Sequence, residues 1–570
     1  MSYLREQSAG LEFQLLHIAR LHELCELEPF THADQDTVTA LLETAASFAA
    51  DQLLPLAASG DREGCRLDGA GVRLPAGTVD IYRSWCELGF PALGLPLEID
   101  GLGLPRVVTS AVQELCDGAN LAFGMMCINL RCAALAILKS ASAGQQARWL
   151  AGLVCGNLSS TIVISESQAG SDVGRITTVA KPQPDGSFLL SGTKIWISYG
   201  DHDLTKEILH LVLARIPGAD TGSRGLSLFA VPKNTDGAGN GVSVLRLEHK
   251  MGLHASPTCV LEFNDAKAEL IGTAGKGLQA LFVMMNNMRL AVAVQGAAIA
   301  NAATLQALAY AAERPQGGSP LSPPVNIIEH ADVRRMLLEM TAESELMRAL
   351  ALRIAGFLDK AEALLLAGNQ KGQQWQNLAE LMLPVAKTYN AETAFSVANL
   401  GIQVMGGYGY TSDYPLERMA RDIRVAAIYE GTSGIQALDF VKRKVIADNA
   451  ETLEKLFSII DTAINSGTSP FQSCWASVQD CLRTRVGSLV ANAKHNPGSV
   501  EGGAYAMLQL TALALHCWNG HSLFAAACDQ TALQQRLRSS LELFAGSVTA
   551  KAALWAVRSE TEIPRVSYSK

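Results

Sequence analysis

Apolar residues recur at intervals of three and four from Asp36 to about Ser160, as in DTVTALLETAASFAADQLLPL and VVTSAVQELCDGANLAF, and that period predicts helices with one buried face. Gly and Pro crowd the joints, as in GFPALGLPLEIDGLGLP at 89–105. Between about Thr161 and Gly277 the pattern changes to short β-rich runs separated by turn residues: TIVIS, SFLLSGTKIWIS, EILHLVLARI, GLSLFAVPK, GVSVLRLE and TCVLEFNDA. These predict a mostly antiparallel β domain. Helical periodicity returns from Leu278 to about Val445 in segments several turns longer than an average helix, which implies a bundle. Beyond Ala447 a further helical region has loops of its own, NSGTSPFQS and KHNPGSVEGG. The expected class is α+β: an N-terminal α-helical domain (1–160), a middle β domain (161–277), a C-terminal helical bundle domain (278–446) built as four helices, and an appended C-terminal helical domain (447–570).

One stretch raises the question of a membrane. AVAVQGAAIANAATLQALAYAA, 291–312, runs through 22 residues without a charge, long enough to span a bilayer. Half of it is alanine, interrupted by Gln295, Gly296, Asn301, Thr304 and Gln306, so it gains little from lipid. A buried bundle helix is expected, and no membrane span.

At 570 residues the chain exceeds what one core serves, so several domains with ample buried volume are expected. The net charge of −9 offers no general affinity for phosphate backbones, and nucleic acid is not an expected partner. Twelve cysteines are scattered without a CxxC pair; they read as free thiols in a reducing compartment, and no metal site is expected. The N-terminus MSYLREQSAGLEF carries charges of both signs and no apolar signal region, so secretion is not indicated and a cytoplasmic location is expected.

Several stretches could carry chemistry. IYEGTSGIQ, 428–436, sets Glu430 between an apolar run and a glycine. Such a carboxylate is either tolerated at a helix end or adjusted in proton affinity for use. SESQAGSDVGR, 165–175, follows an apolar strand with hydroxyls and exposed amides; it is a turn or a loop that approaches a phosphate or polar heterocycle. In GTKIWIS, Trp196 and Ser198 lie two apart and face one side of a strand, either as core residues or as the wall of a planar cofactor. Arg314 ends the uncharged helix, where it answers the helix dipole or binds a pyrophosphate. QVMGGYGYT puts glycines between long helices, which permits close approach of a ligand.

The set SESQAGSD, GTKIWIS, MRLAVAVQG, ERPQGG, QVMGGYGYT and IYEGTSGIQ, in this order over about 270 residues, resembles the flavin-dependent acyl-CoA dehydrogenase family. EGCRLDGAGVRLP, GDHDL, HLVLARIPG and EHKMGLHASPTC resemble its larger bacterial branch with an appended helical domain, which includes 3-(methylthio)propanoyl-CoA dehydrogenases. The resemblance implies FAD as cofactor and α,β-dehydrogenation of an acyl-CoA thioester to the trans-2-enoyl-CoA, with Glu430 as the α-proton base. It implies that the backbone amide of Glu430 steadies the thioester oxygen, together with a flavin hydroxyl. Ser165 and Ser198 would bond the flavin ring edge, Trp196 would pack against it, and Gly170 and Ser171 would meet pyrophosphate or pantetheine. Arg314, Gln403, Gly406, Gly407 and Thr432 match positions holding the adenine half, some supplied by a neighbouring subunit, so a homodimer or higher oligomer is implied. Ser171, Asn286, Arg289, Tyr429 and Gly431 are the expected substrate contacts, and an electron-transfer flavoprotein the expected acceptor.

Departures exist. Gly434 stands where many members carry glutamine, RPQGG replaces an aromatic-containing stretch, Asn286 replaces an acid of medium-chain members, and PLEIDGLGLP lacks the usual PEEYGG character. An oxidase on the same scaffold would use the same base and pass electrons to oxygen. A DNA-associated flavoprotein relative has a basic C-terminal region, whereas 446–570 here holds ten Lys/Arg and ten Asp/Glu. The substrate reads as a fatty acyl-CoA or 3-(methylthio)propanoyl-CoA.

Overall fold

The computed structural model describes residues 2–69, 71–235, 237–493, 497–528 and 530–560. The chain divides into two compact units: Thr44–Leu104 with Ala119–Ala291, and Met1–Glu43 with Pro105–Gly118 and Val292–Lys570.

The first unit is built on seven strands: β1 Leu158–Val163, β2 Val179–Pro182, β3 Phe188–Ser198, β4 Glu207–Arg215, β5 Leu226–Pro232, β6 Val242–Leu247 and β7 Thr258–Ile271. Six of them coincide with the predicted β runs; β2 has no apolar run of its own. Strands β7, β3, β2, β4 and β5 pair in a closed ring, with β6 on the outside of β7 and β1 on β4. The β1–β4 and β2–β4 pairings are parallel and the others antiparallel. Closure removes exposed edges from the ring.

Burial explains the strand sequences. EILHLVLAR is apolar almost throughout because β4 is covered on both faces. Val212 and Ala214 point into the barrel with Phe229, Val231, Leu261 and Phe263, while Leu209, Leu211 and Leu213 face the helical side. VSVLRL in β6 alternates because one face meets water. Helices Leu121–Ser140 and Ala143–Val154 cover the second face. Asn120 caps the first, accepting from the Phe123 N–H at 3.1 Å, and Ser142 with Gln145 forms a capping box on the second.

The second unit is helical. Three long helices, Gly277–Glu313 (from Val292), Ala331–Leu366 and Gly372–Met405, are followed by a fourth segment broken into Leu416–Ile423, Arg424–Ala427 and Ser433–Asp439. Helices Glu451–Asn465, Phe471–Asn492, Pro497–Ala526 and Ala532–Glu560 form the appended region. The predicted loop KHNPGSVEGG is helical from Pro497 on, and its first three residues lie outside the described residues. Gly503 belongs in that helix because a Cβ there would come within 2.3 Å of the Ser559 carbonyl. The N-terminal helix Ser2–His17 is tied down by a buried polar cluster in which Arg348 bonds Glu114 and Glu345, and Gln7 and Gln14 donate to the same carboxylates.

Among the described residues two helices, Leu121–Ser140 and Gly277–Glu313, are long and apolar enough to cross a bilayer. Most of each is buried, so their apolar surface goes into core packing, as the alanine-rich composition of 291–312 suggests.

Candidate functional site: a clamped glutamate loop and a pinned strand exit

Glu430 stands three residues beyond the turn Arg424–Ala427, where the Tyr429 N–H still reaches the Val425 carbonyl at 3.0 Å. The chain then leaves helical geometry. Glu430 has a φ of 53° and Gly431 of 87°, both in the left-handed region, which a non-glycine residue keeps only where its surroundings hold it. Gln436 Nε2 donates to the Glu430 carbonyl at 2.8 Å, and Lys387 Nζ donates to the Gly431 carbonyl at 2.7 Å. Thr432 Oγ1 accepts from the Ile435 N–H at 3.3 Å and starts helix Ser433–Asp439. A Cβ at Gly431 would come within 2.8 Å of Gln436 Nε2, so glycine is required there on two counts.

Lys387 is completely buried on helix Gly372–Met405, and its ammonium lies 6.0 Å from the centre of the Tyr429 ring. The Tyr429 hydroxyl donates to Gln295 Oε1. Burial pushes the Tyr429 phenol well above its ordinary range, and the charges of Glu430 and Asp117 push the same way, so it stays neutral. Helix Pro497–Ala526 of the appended region packs against Ser433–Asp439, the helix that carries Gln436.

A second group gathers where helices Gly277–Glu313 and Gly372–Met405 end. The Arg314 guanidinium lies 5.4 Å from the Tyr408 ring, and Tyr310, Tyr408 and Tyr414 meet at 5.7 to 6.5 Å. Gln403, Gly406 and Gly407 are exposed beside this cluster, with open space where a Cβ would stand on either glycine.

The other unit holds the remaining predicted residues. Glu166 and Lys194 form a buried ion pair at 2.9 Å beneath the SESQAGSD loop. Lys194 Nζ also donates to the Ile164 and Leu213 carbonyls, at 2.9 and 2.8 Å. Glu166 accepts from the N–H and hydroxyl of both Thr177 and Thr178, and from Gln168. Burial alone would raise the Glu166 carboxyl, but the Lys194 charge and these bonds outweigh it and hold it down at about 2. Burial lowers the Lys194 ammonium to about 8 against the pull of Glu166, which leaves it charged at neutral pH.

Ser165 lies between these anchors, and its carbonyl accepts from the Ile195 N–H at 3.0 Å. The pairing of β3 with β7 slips there, so that Ile195 and Trp196 together oppose Val260. Trp196 takes a φ of 63° at this bulge and is 58% exposed, while Ile197 turns into the core. Trp196 is therefore not a core residue. Ser198 is half-buried, and Gly170 and Ser171 are exposed at the loop tip. Asn286 and Arg289 stand on the first turns of helix Gly277–Glu313, half-buried and buried respectively.

Four residues that support these loops were not singled out from the sequence: Lys387, Gln436, Glu166 and Lys194. Three lie inside the motifs already quoted, and Lys387 has a signal of its own as the one charge in LMLPVAKTYN.

The fold and these loops can be set against known proteins. Models of the acyl-CoA dehydrogenase N-terminal, middle and C-terminal domains match residues 35–157, 161–266 and 275–445. The chain belongs to the acyl-CoA dehydrogenase family. It is an oxidoreductase of that class. It is 37% identical over 534 residues to 3-methylmercaptopropionyl-CoA dehydrogenase of Ruegeria pomeroyi, covering 91% of this chain and 90% of that protein. It is 34% identical over 487 residues to the broad-specificity linear acyl-CoA dehydrogenase FadE5 of Mycobacterium tuberculosis, covering 82% of this chain and 79% of that one. An acyl-CoA dehydrogenase from Bacillus anthracis, solved in complex with FAD, has the same fold with a TM-score of 0.76 at 21% identity, over 92% of this chain and 88% of that one. The three family models end at residue 445, and the appended helices follow.

Proposed function

We propose that this acyl-CoA dehydrogenase oxidises a fatty acyl-CoA or 3-(methylthio)propanoyl-CoA to the trans-2-enoyl-CoA, with Glu430 as the base that removes the α-proton. The observation that supports this is the Glu430 loop, held left-handed by a buried ammonium and a buried amide on consecutive carbonyls. A base must stay within hydrogen-bond reach of the proton it takes, and this loop has little freedom to drift. The α-proton passes to the Glu430 carboxylate, and the backbone N–H groups of the loop steady the charge that develops on the thioester oxygen. Tyr429 and Gly431, with Ser171, Asn286 and Arg289, hold the substrate.

The residues present fit FAD. The exposed Trp196 indole offers a flat apolar wall two residues from the Ser198 hydroxyl, and Ser165 is pinned beside it. FAD supplies the hydride acceptor for the β-carbon, a role no side chain can fill. Ser165, Ser198 and Trp196 hold its ring, Gly170 and Ser171 its pyrophosphate, and Arg314, Gln403, Gly406, Gly407 and Thr432 its adenine half. The enzyme works as a homodimer or higher homo-oligomer in the cytoplasm and passes its electrons to an electron-transfer flavoprotein.

Glu430→Gln tests the assignment. The variant should purify yellow, folded and able to bind thioester, while anaerobic bleaching of its flavin slows by roughly 100- to 10,000-fold. Bleaching at a near-normal rate would overturn it.

A further inference from the structure

Helix Ala331–Leu366 belongs to the bundle and helix Pro497–Ala526 to the appended region, and where they meet they bury a cation without a counter-charge. Arg353, on the first helix, is 9% exposed. Its Nε donates to Asn519 Oδ1 at 2.6 Å and its Nη2 to Ser522 Oγ at 3.1 Å, both on the second helix. The guanidinium carbon lies 3.8 Å from the centre of the Trp518 ring. All of these groups are neutral, and no carboxylate pairs with Arg353 among the described residues. Burial lowers the guanidinium to about 9 with nothing opposing it, and the group is still charged at neutral pH. Arg348, fully buried one and a half turns earlier on the same helix, is by contrast answered by Glu114 and Glu345.

What remains unbonded around Arg353 is a set of donors. Asn519 is fully buried, and with its Oδ1 turned to the guanidinium its Nδ2 has no partner among the described residues. The Ser522 hydroxyl donates its own proton to the Trp518 carbonyl at 3.0 Å. A guanidinium has five N–H groups, and these contacts engage only Nε and Nη2. Lys360 adds a second positive charge to the same aromatic cluster, 4.4 Å from the Trp375 ring, which packs through Phe357 on Trp518. His516, one turn back from Asn519, is held neutral: burial lowers it to about 3 and the Lys551 charge pushes the same way. A water would accept from these N–H groups but leave the buried charge unmatched; an anion answers both.

We propose that Arg353 and Asn519 bind a small monovalent inorganic anion, of the size of a halide, which links the appended region to the bundle. The ion accepts from the uncommitted N–H groups of the guanidinium and from Asn519 Nδ2, and charge strengthens each bond. So little of Arg353 reaches solvent that an ion of one or a few atoms fits the approach better than a phosphate group. The site shares no residue with the Glu430 loop or with the groups assigned to FAD, so it is independent of the dehydrogenase reading above.

Bromide is the probe, on the FAD-loaded full chain. As bromide replaces gluconate at constant ionic strength, the wild-type melting midpoint should rise by about 1–5 °C for each tenfold in bromide above its dissociation constant. Crystals grown in bromide and measured at the bromine absorption edge should show a peak within hydrogen-bond reach of Arg353 and Asn519. Arg353→Met should lose both the peak and the bromide dependence. Asn519→Asp places a carboxylate beside the guanidinium in the anion's stead, so it should melt at or above the wild type in gluconate and no longer respond to bromide; it carries the test if Arg353→Met does not fold. A wild-type midpoint indifferent to bromide, with no peak at this place, overturns the proposal and leaves Arg353 a packing residue. A bromide response as large in Asn519→Asp as in the wild type overturns it too. Stabilisation by sulfate or phosphate but not by bromide, lost in Asn519→Asp, overturns the assignment to a small monovalent ion.

Discussion

Lys387→Met removes a charge from the supports of the Glu430 loop while keeping nearly the same length and shape. In the wild type the ammonium donates to the Gly431 carbonyl at 2.7 Å from a fully buried position. A hydrogen bond to a charged donor contributes about 1.5–3 kcal/mol, and an orphaned buried carbonyl costs about 1–3 kcal/mol. Methionine carries no charge to desolvate, so part of the stability lost with the bond returns and the fold survives. The loop does not recover in the same way. Gln436 still holds the Glu430 carbonyl, but the next carbonyl is loose, and Glu430 and Gly431 can relax from their left-handed conformations of 53° and 87°. If the lost bond appears in the barrier, at 1.4 kcal/mol per tenfold, the limiting rate of flavin reduction falls by roughly 10- to 100-fold. Anaerobic single-turnover reduction over a range of acyl-CoA concentrations separates that rate from binding, which should change less. Lys387→Arg keeps a donor and should recover part of the rate. A limiting rate equal to wild type in Lys387→Met, in protein of normal flavin content, would show that the clamp does not govern where the carboxylate sits.

Removing Lys194 leaves the Glu166 carboxylate buried without its cation, which typically costs about 3–5 kcal/mol. Lys194→Met should lower the denaturation midpoint and weaken FAD retention, and adding Glu166→Gln should restore part of both; a double variant worse than the single would refute the pairing argument. Burial lowers His202 to about 4 and His210 to about 3, where Ser159 Oγ and Thr161 Oγ1 lie 2.9 and 2.7 Å from their rings. Both folded values lie below the unfolded value near 6.5, so the unfolded chain binds more protons as pH falls. Stability present above pH 6.5 is thus lost progressively toward pH 4, by on the order of 2–3 kcal/mol for each group. Urea midpoints at pH 7 and pH 5 should differ accordingly, and the difference should shrink in His202→Gln; a pH-independent midpoint would contradict the burial assignment.

The succession of helices, strands and helices was legible because periods of 3.6 and 2 follow from which faces are buried, and local sequence carries them. Strand β2 was missed because its four residues, VAKP, have no apolar run and are placed by pairing with β3 and β4. The exposure of Trp196 had two readings in the sequence, since a tryptophan on a strand fits a core as well as a wall. The bulge against β7, created by a partner more than 60 residues away, decides it. The family motifs marked Glu430 and Gly431, but a motif states residue types and order, not the conformation that presents a carboxylate.

The sequence alone therefore determined the element order, the family and the short list of chemical groups, because these depend on neighbours along the chain. Which cations and amides hold the loops was decided by tertiary structure. Lys387 meets Gly431 across 44 residues and Lys194 meets Glu166 across 28. A buried charge is tolerable only where packing delivers its partner within about 3 Å, and no local pattern encodes that distance.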